Sequence, residues 1–146
     1  MAGTHPLGGY ITAQILSWTH TAAVAIIDES VIATIAVPNK ATILDVILEV
    51  TAVGDTGATL VYDVGDASGP ATADDDRFIA GFSGQATGSI RASDSAGLLE
   101  GTYTYRNLRG TDDAQIEQEI ELTIDTVAAT GAIATGRLTI IYFVTE

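Results

Sequence analysis

Apolar and polar residues alternate along most of this chain. In "LDVILEVTA", Leu44, Val46, Leu48, Val50 and Ala52 fall on one side and Asp45, Glu49 and Thr51 on the other. That is the period of a β-strand with one buried face. "ATLVYDVG" repeats the arrangement, with Leu60, Tyr62 and Val64 against Thr59, Val61 and Asp63. "IEQEIELTID" is the clearest instance: Ile116, Ile120, Leu122 and Ile124 oppose Glu117, Glu119, Glu121, Thr123 and Asp125, and only Gln118 interrupts the apolar side. Further strands are predicted at 10–18, 21–27, 31–37, 77–82, 98–105 and 137–144. Turn-forming clusters separate these runs, among them "VPNK" at 37–40, "GDTG" at 54–57 and "GDASGP" at 65–70. No segment carries a capped 3.6-residue period. About nine short strands predict an all-β fold, a single-domain antiparallel β-sandwich that is jelly-roll-like. Residues 1–20 are expected to form an N-terminal arm or first strand, and residues 21–146 the sandwich.

Some strands are apolar on both sides. "RLTIIYFVTE" places Leu138, Ile140, Tyr142 and Val144 on one face and Ile141 and Phe143 on the other. "AAVAII" and "VIATIAV" are polar on neither. A strand apolar on both faces has to be covered on both, and a small sandwich supplies only one cover from its own core. The second cover is expected to be another subunit, which makes Ile141 and Phe143 candidate interface residues and the protein a homo-oligomer.

Composition narrows the partners. The 146 residues suit one domain with a real core. There is no cysteine, so neither disulfides nor cysteine-type zinc sites are available. Nineteen acidic residues against six basic ones give a net charge of −13, which repels nucleic acid and anionic lipid alike. With 47% hydrophobic and 17% charged residues, the chain is no disordered acidic tail. The start "MAGTHPLGGYITAQ" lacks the basic and apolar regions of a secretory leader, and no apolar run reaches membrane-spanning length. A soluble protein outside the general secretory route is expected.

Candidate chemistry is sparse. Asp63, Asp66, Asp74, Asp75 and Asp76 crowd into "YDVGDASGPATADDDRFIAGF", residues 62–82. Three are consecutive and no Glu closes the loop at the offset a calcium cage requires, so a solvated loop that caps turns or pairs with Arg77 is expected. Catalytic carboxylates need one buried, proton-holding member, which adjacent surface aspartates do not provide. His5 and His20 lack metal-ligand spacing. "GFSGQ" at 81–85 echoes a nucleophile elbow without the strand-to-helix context such an elbow needs. No catalytic, cofactor or metal residue is therefore expected. Trp18, the sole tryptophan, is either core or an interface anchor. Arg106 and Arg109, two of six bases in the single turn "YRNLRG", are candidates to meet acidic groups on a neighbour.

The run "ILDVILEVTAVGDTGATLVYDVGDASGPATADDDRFIAGF" resembles small accessory virion proteins of tailed bacteriophages. The shared pieces are the strand Asp45–Val50, the V-G-D of Val64 to Asp66, and the D-R-F-I-A of Asp76 to Ala80. The stretch "TGRLTIIYFV", Thr135 to Val144, is similar to their final strand. Residues 41–82 carry the likeness, and residues 1–40 lie outside it. The resemblance implies a capsid decoration, or cement, protein. Such proteins are compact β-domains, often trimeric, made in the host cytoplasm and seated on the outside of a phage head, where the major capsid protein is the partner. It implies no catalytic residues. Two alternatives stay open: another virion part (head-fibre base, neck or minor tail protein), or a calcium-assisted carbohydrate- or receptor-binding β-sandwich. Against the latter, Tyr62, Tyr103, Tyr105 and Phe143 fall within strand alternation rather than in an exposed aromatic loop.

Overall fold

The computed structural model describes residues 9–20, 30–38, 41–53, 60–66, 74–94, 103–104, 118–127 and 134–144. Within them the chain forms nine strands. They are β1 (Tyr10–His20), β2 (Val31–Val37), β3 (Ala41–Val53), β4 (Leu60–Asp66), β5 (Asp74–Ser83), β6 (Gly88–Arg91), the two-residue β7 (Tyr103–Thr104), β8 (Gln118–Val127) and β9 (Ala134–Val144). One 3-10 turn, Ala92–Asp94, follows β6. The expected strand at 21–27 and most of the one at 98–105 lie outside the described residues. Strand β6, "GSIR", was not expected, because four residues with one large apolar side chain show no alternation.

Two antiparallel sheets result. Sheet A runs β1-β9-β3-β6, with β7 also on β3, and sheet B runs β2-β8-β4-β5. With β7 set aside, the first strand pairs the last, the second the second-last, the third the sixth and the fourth the fifth. This is jelly-roll winding, one long two-stranded ribbon folded over itself into two sheets. The all-β sandwich expected from alternation is the fold observed. Residues 10–20 belong to it fully, since β1 pairs with β9 from Tyr10↔Val144 to His20↔Ala134.

The inner sides of the sheets meet in a single core. Its largest fully buried side chains include Tyr62, Phe78, Ile43, Leu48, Leu122 and Ile140. Each such aliphatic or aromatic side chain contributes about 2 kcal/mol relative to exposure. Strand β3 reaches the core in a different phase from simple alternation. Irregularities between Ile43 and Asp45, and between Val50 and Ala52, each insert one extra residue opposite β9. Val46, Leu48 and Val50 keep the core side, but Ile43 is buried in place of Leu44, and Ala52 turns outward. A bulge changes which side the next residue faces, so a strand of thirteen residues crosses three phases.

Strand β1 is the reverse of its hydropathy. Its inward side carries Thr12, Gln14, Leu16, Trp18 and His20, while Ile11 and Ile15 point away from the core. The inward amide is bonded: Gln14 Nε2 donates to the Ala36 carbonyl at 3.1 Å and to the Tyr142 hydroxyl at 2.9 Å. Gln14 thereby links β1 to β2, the neighbouring edge of the other sheet.

Candidate contact surface

The outward side of sheet A carries an apolar patch bordered by ion pairs. In the patch, the β1–β9 register sets Ile11 beside Phe143 and Ala13 beside Ile141, with Ile15 beside Thr139. Ile47 of β3 extends this patch across Thr139. Ile11 is 67% exposed and Ile15 65%, while Ile141 and Phe143 are half-buried among their strand neighbours. Leu44, the extra residue of the first β3 bulge, is also exposed. Gly9 leaves room for the Phe143 ring, since any Cβ there would overlap it.

Bordering it the strands carry opposite charges, with Asp45 beside Ile141 and Arg91 beside Ile47. Arg137 Nη2 lies 2.7 Å from Glu49 Oε2, and Arg91 Nη2 lies 2.7 Å from Asp45 Oδ2. The arginine side chains are 53% and 52% exposed. Two bases and two acids on these strands balance. In a chain of net charge −13, this face is locally neutral among the described residues.

The core behind it holds an aromatic cluster. Trp18 packs edge-on against Tyr62, ring centroids 5.0 Å apart, and Tyr62 meets His20 through a 3.2 Å bond between the phenol oxygen and His20 Nδ1. Burial pushes the Tyr62 hydroxyl well above its ordinary range and lowers the His20 imidazole from 6.5, so both stay neutral near pH 7. Trp18 Nε1 and His20 Nε2 are buried without a hydrogen-bond partner among the described residues. Gly136, paired with both Trp18 and Val50, lets the indole lie flat on the sheet, because a Cβ there would run into the Glu49 carbonyl and the Trp18 ring. The reading of Trp18 as an interface anchor gives way here. At 4% exposure it is core.

Sheet B treats charge differently. Asp63 and Asp66 lie within β4 and are buried, which corrects the expectation that these two belong to a solvated loop. Asp63 Oδ1 accepts the Gly81 N–H at 2.6 Å, where Gly81 adopts φ 70° at an irregular stretch of β5. Asp66 Oδ1 accepts Arg77 Nε at 2.9 Å, with both side chains largely out of solvent. Charges taken from water need such partners. Residues 67–73 lie outside the described residues. Among the described residues, no three His, Asp or Glu side chains gather in a way that could hold a metal ion. Ser83 sits at the end of β5, before the turn to β6, a strand–turn–strand setting unlike a nucleophile elbow.

The outward side of β8 is acidic. Glu119 and Asp125 are exposed and Glu121 is half-buried, opposite Thr34 of β2 and Gly65 of β4. Burial, then the neighbouring Glu119 charge, raises the Glu121 carboxyl above 4.5. Thr123 also faces this way, yet it is buried across from Asp63.

The sequence matches no protein-family model and no curated protein. Solved structures do match. One chain of the cyanophage Pam1 capsid asymmetric unit superposes with a TM-score of 0.65 at 20% identity, covering 99% of this chain and 91% of that one. This is a fold found in phage capsids. A chain from the capsid of Ralstonia phage GP4 gives a TM-score of 0.52 at 22% identity over 94% and 85% of the two chains. One from the acidic stable capsid structure of Helicobacter pylori bacteriophage KHP30 gives 0.52 at 14% identity over 95% of each. The capsid-chain likeness runs nearly end to end in all three.

Of the residues singled out from sequence, the fold brings Ile141 and Phe143 together on the outward side of sheet A and places Trp18 in the core, opposite Gly136 toward the other end of β9. Arg106 and Arg109 lie outside the described residues. Ile11, Ile15 and the Arg137–Glu49 and Arg91–Asp45 pairs escaped the sequence reading. The signal was present in "YITAQILSWTH", where Ile11, Ala13 and Ile15 alternate with Gln14, Trp18 and His20. Only the register with β9 shows that the isoleucines are the outer set.

Proposed function

We propose that this chain is a structural protein of a bacteriophage virion, a decoration (cement) protein that binds the outside of the head and contacts the major capsid protein. The observation carrying this reading is the nearly end-to-end likeness to chains in three phage capsid structures. The physics of the surface supports it. A charge of −13 keeps free subunits apart in solution and suits basic patches on a shell. Many copies on one lattice gain avidity from contacts that are individually weak. In this reading the chain performs no reaction and works as a homo-oligomer, a trimer being favoured.

A calcium-assisted sugar-binding sandwich is the weaker alternative, because Asp63 and Asp66 are already engaged by Gly81 and Arg77. The test is to mix purified protein with undecorated heads and sediment them. Saturable, salt-sensitive co-sedimentation at a fixed number of copies per head is expected. Protein left in the supernatant at low salt refutes the decoration role.

A further inference from the structure

We infer that the outward side of sheet A, centred on Ile11, Ile15, Ile141 and Phe143, is where this chain binds a second copy of itself. The inference deepens the decoration reading by naming the surface of its homo-oligomer, and it stands on three observations.

The first is the inversion of β1. A strand that turns Gln14 and His20 inward while leaving Ile11 and Ile15 more than half exposed has the wrong side wet for a lone sandwich. Ile11 pairs with Phe143 and Ala13 with Ile141, and Ile15 follows on the same side opposite Thr139, so the apolar residues form one patch rather than scattered points. The second is charge. A copy approaching the acidic outward side of β8 meets Glu119, Glu121 and Asp125 with like charges of its own. Approaching sheet A, it meets a neutral surface. The third is self-complementarity. Arg137 and Arg91 alternate with Glu49 and Asp45 across three adjacent strands, and both guanidinium groups are half-open to solvent. Identical surfaces related by rotation set base against acid in such a pattern. A strongly basic partner would be drawn to β8 instead, so the neutral face selects a second copy of an acidic chain.

The experiment is sedimentation velocity of the full chain across a concentration series, wild type beside Ile11→Glu/Ile15→Glu and, as control, Thr34→Glu on the outward side of sheet B. Both sites are already solvent-facing in the single chain, and circular dichroism with a melting curve verifies that each variant is folded. The wild type and Thr34→Glu should associate alike. The double variant should weaken association roughly a hundredfold or more, since two large aliphatic contacts are replaced by buried charge. Since the chain has no cysteine, Ile15→Cys provides a second reading: cross-linking by a short bifunctional thiol reagent is expected only in the associated state. A monomeric wild type, or a double variant that associates as tightly as wild type, overturns the inference. Head binding is scored separately. Monomers that decorate heads would overturn this inference alone, and oligomers that ignore heads would overturn the decoration role alone.

Discussion

Sheet A keeps its charges outside and neutralised in pairs, with a glycine and a tryptophan in tight contact within. Sheet B takes charge out of water, in Asp63, Asp66 and Arg77, and leaves acids unbalanced on the outward side of β8. The two halves of one core therefore fail for different reasons. Sheet A is vulnerable to added volume, and sheet B to the loss of a partner for a buried charge.

The largest expected effect is steric and falls in sheet A. Gly136→Ala forces a Cβ against the Glu49 carbonyl and the Trp18 indole, at a cost of about 3 kcal/mol. Thermal unfolding should show a fall of roughly 10 °C. A loss of only a degree or two would mean that the sheet yields easily there, and the contrast with sheet B would be lost.

Next comes the electrostatic counterpart. Arg77→Ala removes the guanidinium bonded to the fully buried Asp66 carboxylate and should cost about 2–3 kcal/mol in urea unfolding. Adding Asp66→Asn to it should recover part of that loss, because the charge that Arg77 balanced is removed. If the double variant is worse than the sum of the singles, Asp66 serves by packing rather than by charge.

Titration distinguishes the sheets more gently. Tyr62→Phe removes the bond to His20 Nδ1 and should cost about 1 kcal/mol. His20 is held below 6.5 by burial, so the unfolded chain takes up its proton first as the pH falls. Its contribution is complete above pH 6.5 and drains away as the pH drops through that value toward the lower folded one. Melting temperatures between pH 7 and 5 should fall less steeply in His20→Gln. Glu121 acts with the opposite sign. Its folded carboxyl is raised above 4.5, so it costs stability at neutral pH and relieves that cost in acid. Glu121→Gln should gain a few tenths of a kcal/mol at pH 7, a gain that disappears below pH 4.5.

The smallest effect belongs to the outer ion pairs. Arg137→Ala should leave the stability of the single chain within about 0.5 kcal/mol, since the guanidinium is half-solvated. A larger loss would place this pair among the supports of the sheet rather than on its contact surface.

Alternation alone located β2, β4, β8 and β9 and put the buried side of β4, β8 and β9 correctly; "VIATIAV", apolar on both faces, offered no side for β2. It lost the phase of β3 at both ends, because a bulge depends on how the neighbouring strand is matched and leaves no mark in a single strand's pattern. It missed β6, which is too short and too polar to show a period. For β1 the alternation was legible but its direction was not. Two sets of residues competed for the inside, and the winner contained Trp18, which no outer surface of a lone subunit could bury, with Gln14 accommodated by the Ala36 carbonyl and the Tyr142 hydroxyl. The Asp cluster looked like one feature because its members are close in sequence. The fold splits it, since β4 ends and β5 begins within it.

The place of β9 between β1 and β3 sets the order in which the molecule comes into being. Residues 134–144 follow every other strand along the chain, yet β1 and β3 each wait for them to fill the gap. During synthesis both strands are left with open hydrogen-bonding edges until the last segment arrives. Pairings that join such distant parts of a chain form slowly, and half-built sheets with open edges are the species that clump. Expression trials should therefore tolerate changes on the outer surface far better than any delay or truncation that keeps β9 from its slot.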